Sequence, residues 1–170
     1  VWAKIFFFFF SMLGGTGSTL VANNTASGDY NVAYIYNMLE TNMWRASVFT
    51  NSLISYDAGA GNTKTADYLA ILGHNLGTCK TGGATIVLQW SDDNWSTVYD
   101  AFTSFEPAND NVILKEFTSP GAHRYWRFVI MGTPTIYPYM TLCIWGDRTE
   151  LDWVSGAFDP YEEEVKANIS

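Results

Sequence analysis

Apolar and polar positions alternate in short runs along this chain, with the period of two that a half-buried strand imposes. The clearest run is Ala84-Thr85-Ile86-Val87-Leu88-Gln89-Trp90, where apolar residues alternate with small or polar ones. Arg124–Ile130 alternates too: Tyr125, Arg127 and Val129 fall on one face, and Trp126, Phe128 and Ile130 on the other. Ala66–Gly73, Thr97–Ala101, Val112–Phe117 and Tyr139–Trp145 read as further strands, and Thr19–Ala22 as a short one. Ser47–Asp57 reads as a strand, or a strand pair broken at Asn51-Ser52. Turn chemistry separates these runs at Asn23–Asp29, Ala58–Asn62, Gly77 to Gly83 and Ser91–Asn94. Tyr30–Met38 is apolar and aromatic and reads as an irregular or helical turn. Many short strands at close spacing, with no long helical period, predict an all-β sandwich or barrel.

Both ends depart from this pattern. Five consecutive Phe, Phe6–Phe10, follow Val1-Trp2-Ala3-Lys4-Ile5 and lead into Ser11-Met12-Leu13-Gly14-Gly15. As a secretory signal the segment would have Lys4 as its charged region and Ile5–Leu13 as its apolar region. It lacks an initiator Met and a clear small-x-small cleavage site. The apolar run is far short of the roughly 20 residues that span a bilayer. We expect a β-strand or an assembly arm covered by a partner subunit, because five exposed Phe in a row invite aggregation. At the other end, Phe158-Asp159-Pro160-Tyr161 is a turn-like stop before Glu162-Glu163-Glu164-Val165-Lys166. The expected organisation is an N-terminal strand or arm over 1–18, a β-sandwich over 19–157 and a C-terminal arm or linker over 158–170.

Composition sharpens this in two ways. Aromatic residues make up 16% of the 170 residues, which favours pleated sheets and flat binding surfaces. The net charge is −8, and the few Lys and Arg are scattered, with the closest grouping at His123, Arg124 and Arg127. A nucleic-acid partner would need a basic patch or stripe, so none is expected.

Catalytic chemistry finds little support. The two histidines, His74 and His123, sit in no metal or nucleophile motif. Cys79 and Cys143 read as small buried hydrophobes, with a single bridge as the alternative. Asp92-Asp93 is a carboxylate pair, but neighbouring residues on a strand face opposite ways, and in a turn they bond the backbone. Arg124 and Arg127 fall on different faces by parity and are expected to pair with surface acids. No enzyme is expected.

Three segments in order carry a resemblance. Tyr36-Asn37-Met38-Leu39-Glu40-Thr41-Asn42-Met43-Trp44-Arg45 resembles the discoidin pattern of Asn, Leu and an acid leading into Thr and Trp. The second runs from Thr65 through Ile71-Leu72-Gly73-His74-Asn75-Leu76-Gly77-Thr78 to Ala84–Ser91 and Asp92-Asp93. It is similar to the strand–GHNL–strand–SDD run of discoidin-like domains in phage tail and other virion proteins. His123-Arg124-Tyr125-Trp126-Arg127-Phe128 looks like the family's YWR strand. The resemblance covers roughly Leu20 to Trp145. It implies an antiparallel jelly-roll β-sandwich of the discoidin, or galactose-binding-like, type with extended terminal arms.

It also implies roles. The first is a phage virion structural protein, a tail or capsid decoration component that contacts other virion subunits as a homo-oligomer or lattice, with Phe6, Phe7, Phe8, Phe9 and Phe10 as its assembly arm. The alternative, from a different class, is an extracellular carbohydrate-binding module for host glycans. Its candidate contacts are Trp44, Arg45, Asp92, Asp93 and Trp95. Trp90 and Trp95 flank the Ser91–Asn94 turn as a sugar grip would; hairpin packing is the commoner use of such residues. By family analogy Asn37, Glu40 and Asn42 are candidate ligands for a structural calcium, although Glu40 alone is charged and calcium prefers several carboxylates. Otherwise this is an ordinary loop with Trp44 anchored in the core. His74-Asn75 is expected to pin the end of a core strand by hydrogen bonds.

Overall fold

The computed structural model describes residues 5–151, and the side chains of residues 11–148. Within them, ten strands form two antiparallel sheets. They are β1 (Ile5–Ser11), β2 (Thr19–Ala22), β3 (Trp44–Arg45), β4 (Ser52–Asp57), β5 (Tyr68–His74), β6 (Thr85–Ser91), β7 (Tyr99–Asp100), β8 (Ile113–Glu116), β9 (Tyr125–Met131) and β10 (Tyr139–Leu151). One sheet runs β1-β10-β5-β8, with β3 also on β10; the other runs β2-β4-β9-β6-β7. Of the all-β sandwich or barrel expected from the alternation, the fold observed is the sandwich. No helix among the described residues is long and apolar enough to cross a membrane.

The alternation sets which residues face the core. In β4, Ser52, Ile54 and Tyr56 are buried while Leu53, Ser55 and Asp57 are half-buried. In β9, Trp126, Phe128 and Ile130 point inward, as their parity predicts. The same core cluster holds Tyr68, Leu69 and Ile71 of β5 and Cys143 and Trp145 of β10, all of them fully buried. Cys79 and Cys143 are free, buried thiols rather than a bridge. Burial pushes the Cys79 thiol up to about 11 and Cys143 higher still, so both stay protonated and unreactive.

Several local expectations change. Strand structure over Thr97–Ala101 shrinks to the two residues of β7, and Ser47–Asn51 is irregular, ending at Asn51 with a φ of 49°. The Gly77–Gly83 loop opens on a single helical turn, α1 (Leu76–Cys79). Tyr30–Met38 contains a 3-10 turn, Val32–Tyr36. The backbone of Ile5–Ser11 pairs with β10, and Met12 and Leu13 join the core, so the described part of residues 1–18 packs as part of the sandwich. The Phe6–Phe10 side chains, and with them the expected assembly contact, lie outside the described residues, as does the 158–170 segment.

The registers define two poles. At one, Asp57, Tyr125 and Ser91 lie side by side across β4, β9 and β6. Thr65, Lys64 and His123 tie that pole to Asp147. At the other, Ser52 pairs with Ile130, Met140 with His74, and Tyr139 with Arg45. Asn24 ties the segment after β3 to the start of β4 there, accepting from Ser47 N at 3.0 Å and donating to Ser52 Oγ at 3.3 Å. A strand of six residues separates the poles by about 17 Å.

Candidate functional site

β3 is two residues long, and its two side chains must face opposite ways. Trp44 takes the core and Arg45 the surface. Trp44 is fully buried, and its Nε1 donates to Thr25 Oγ1 at 3.2 Å. This corrects its expected role as a glycan contact: a side chain with no exposed surface touches no ligand. Arg45 is half-buried and lies over two rings, 5.7 Å from the Tyr30 centroid and 5.1 Å from that of Tyr137. Guanidinium groups rest on aromatic faces at such distances and keep their in-plane N–H donors.

Around Arg45 the loops of this pole form an open cleft of about 590 Å³. Its walls are Tyr30, Met43, Arg45, Phe49, Asn75, Thr135, Ile136, Tyr137 and Tyr139. Phe49 and Tyr137 stack at 4.4 Å with an interplanar angle of 29°. They remain 40% and 38% exposed, so this aromatic platform is presented to solvent rather than spent in the core. A second cleft, of about 250 Å³, adjoins the first and shares Tyr30, Arg45 and Tyr137 with it.

Asn75 and His74 hold the platform in place. The Asn75 amide donates to Tyr137 O and accepts from Tyr139 N, both at 2.9 Å. Tyr137 also precedes Pro138, which restricts it to extended backbone, and Pro138 O accepts from Ala46 N at 2.9 Å. The loop is braced from beneath by Gly82, where a Cβ would lie 2.0 Å from Thr133 O. His74 is buried; its Nε2 donates to Asn111 O at 2.8 Å, and its Nδ1 accepts from Leu76 N at 3.1 Å. The strand-pinning role expected of His74-Asn75 is what the structure shows.

That geometry suits neutral imidazole, because protonated Nδ1 cannot accept. Burial lowers the His74 pKa, partly opposed by the bond to Asn111. A histidine whose folded value lies below its unfolded value of about 6.5 adds stability above that pH. This stability drains away as pH falls from the unfolded value toward the folded one. The melting temperature is therefore expected to drop as pH is lowered from about 7 to 5.5, and His74→Gln to flatten that step. Parallel melting profiles for the two proteins would contradict the assignment.

The remaining candidates lie at the opposite pole. Asp93 is consumed by its own turn: Thr97 N and Oγ1 donate to it at 2.8 and 2.6 Å, and Ser91 Oγ at 2.8 Å. The Thr97 hydroxyl, then its amide and Ser91, hold the carboxyl below the usual carboxylate range. Asp92 accepts from His123 Nδ1 at 2.8 Å and Arg124 N at 3.2 Å. Trp90 stacks on His123 at 3.5 Å and on Tyr99 at 4.4 Å. Trp95 covers Arg127 at 4.4 Å, and Arg127 Nε donates to Gln89 at 2.8 Å. Arg127 thus has an amide and an indole as its direct partners, with the Asp100 carboxylate near enough to act on it by charge, whereas Arg124 pairs directly with Asp57, at 2.8 and 3.0 Å. The five glycan candidates therefore do not converge: Arg45 is in the cleft, Trp44 beneath it, and Asp92, Asp93 and Trp95 a strand length away.

In the calcium candidates, Asn37 Oδ1 already accepts from Leu39 N at 2.9 Å, and Glu40 is exposed. Among the described residues no group of three or more His, Cys, Asp or Glu gathers to hold a metal. Tyr30, Phe49, Asn75 and Tyr137 escaped sequence reasoning as site residues. The available signal was an aromatic set among loop formers, as in Pro134-Thr135-Ile136-Tyr137-Pro138 and Ser47-Val48-Phe49-Thr50-Asn51.

Neither a family model nor a curated protein matches the chain by sequence. Solved structures do match by shape. A Ruminococcus gnavus GH29 fucosidase in complex with fucose aligns with a TM-score of 0.65 and 11% identity over 84% of this chain; the chain spans 27% of that enzyme. A CBM32 module from Clostridium perfringens, in complex with GalNAc-β-1,3-galactose, aligns with a TM-score of 0.59 and 11% identity, covering 78% of this chain and 96% of the module. Chitosan-binding module 1 of a chitosanase/glucanase from Paenibacillus sp. IK-5 gives 0.61 and 12%, covering 77% of this chain and 96% of the module. At such identities the likeness is one of fold: a discoidin-like β-sandwich, as the resemblance implied, shared with carbohydrate-binding modules.

Proposed function

We propose that this chain is a non-catalytic carbohydrate-binding module whose ligand sits in the Arg45 cleft. The observation that carries it is the exposed Phe49–Tyr137 stack beside Arg45, at the loop pole of a fold built like carbohydrate-binding modules. A sugar ring has an apolar C–H face and a hydroxylated edge. The stacked rings offer a surface for the face; Arg45, Thr135 and the Tyr139 hydroxyl offer hydrogen-bonding groups for the edge. Among the described residues no Asp or Glu lines the cleft to serve as acid or base.

We place glycan recognition ahead of virion assembly, the reverse of the order suggested by sequence. The assembly reading depends on the Phe6–Phe10 side chains and the C-terminal segment, which lie outside the described residues. What supports the glycan reading is the open, aromatic Arg45 cleft together with neighbours of the same architecture.

The test is a titration against a panel of oligosaccharides, with and without calcium. At least one glycan is expected to bind, and Tyr137→Ala to weaken it about tenfold or more, as truncation of a central aromatic contact does. Trp95→Ala, a strand length away, is expected to leave affinity unchanged. A panel without binders, or a loss caused by Trp95→Ala and not by Tyr137→Ala, overturns the proposal. The calcium arm decides whether Asn37, Glu40 and Asn42 take the ion that the resemblance implies.

A further inference from the structure

Resting on the cleft being a sugar site, we infer that its ligand is an acidic sugar, a uronate whose carboxylate is gripped by Arg45. Three observations converge. First, Arg45 has no carboxylate partner among the described residues, whereas Arg124 is held by Asp57, and Arg148 by Asp67 and Glu116. Second, no Asp or Glu among the described residues lines either adjoining cleft, although the chain carries a net charge of −8. Among the described residues that line the two clefts, the charged one is thus a cation, in an otherwise acidic protein. Third, Arg45 stands in the wall common to both clefts, over Tyr30 and Tyr137.

The chemistry follows from this placement. A guanidinium supported on aromatic faces is partly desolvated and fixed in orientation before any ligand arrives. Its in-plane donors match the two oxygens of a carboxylate, the geometry of the strong bidentate pair. A sugar ring lying on the Tyr137 side would bring an exocyclic C6 carboxylate toward that fork. A neutral hydroxymethyl group at C6 accepts only one such bond and leaves the cation uncompensated.

The experiment uses oligomers that differ only at C6: trigalacturonate against α-1,4-galactotriose, and a cellotriose oxidised at C6 against cellotriose. Calorimetric titration is expected to give affinity about tenfold or more higher for the acidic member of at least one pair. Methyl esterification of that member should abolish the advantage, a control independent of any variant. Arg45→Gln should weaken the acidic member by far more than the neutral one, so that the ratio between them falls toward one. If acidic and neutral members bind alike, or the neutral ones bind better, and Tyr137→Ala still removes binding, the acidic inference is overturned and the sugar site stands. If no member of any pair binds and the wider panel also gives no ligand, both fall.

Discussion

Trp44→Ala is expected to destabilise the domain by about 3–5 kcal/mol, the cost of deleting a large aromatic from a close-packed core. Domains of this kind hold on the order of 5–15 kcal/mol in total, so the variant would be close to unfolding. Trp44 is fully buried beside Ile35, Ala46 and Met140 in the core cluster, and its indole N–H reaches out to Thr25. Alanine would remove the packing and leave a cavity that the paired strand β3 resists closing. Trp44→Phe refills most of that volume and loses only the bond to Thr25. It should cost far less and leave glycan affinity intact. Urea midpoints and binding titrations on both variants check this. A well-folded Trp44→Phe protein that has lost its ligand would restore Trp44 as a contact residue.

Asn75→Ala is the second large effect, and it connects fold to site. Its one amide satisfies Tyr137 O and Tyr139 N from a buried position. Removal strands one acceptor and one donor beneath the 132–138 loop, at about 1–3 kcal/mol each, or roughly 2–4 together after partial relaxation. The consequence for function is indirect: Tyr137 loses the bond that sets its backbone, so the Phe49–Tyr137 platform and the Arg45 support shift together. Affinity is expected to fall about tenfold or more in molecules that are still folded at low temperature. Denaturation and calorimetry separate the two losses. Unchanged stability, or full affinity despite lost stability, would show that the amide does not position the platform.

The fold was legible in the sequence because its signal is local. Ala84–Trp90 and Arg124–Ile130 each carry their own alternation, and the inward face of β9 came out as parity predicted. The GHNL segment likewise announced a pinned strand end, which His74 and Asn75 provide. The site was only partly legible, for two physical reasons. In a two-residue strand such as β3, parity says that Trp44 and Arg45 diverge but not which turns inward; both qualify as contacts on sequence, and one is core. The platform itself is assembled from Tyr30, Phe49 and Tyr137, which lie on three loops far apart in the chain and meet only when both sheets have formed. Trp95 misled for the opposite reason. It stands in a turn rich in acids, with φ near 70°, but its ring is occupied by Arg127 and its turn is closed by Ser91 and Asp93.

The central claim is that ligand binds at the Arg45 pole. Two-dimensional NMR of the labelled chain, titrated with the tightest-binding oligosaccharide from the panel, tests it most directly. The predicted result is a set of saturable shifts centred on Tyr30, Arg45, Phe49 and Tyr137, with Ser91–Thr97 unmoved. Shifts centred on Trp95 and the Ser91–Thr97 turn, with Arg45 and Tyr137 silent, would contradict it.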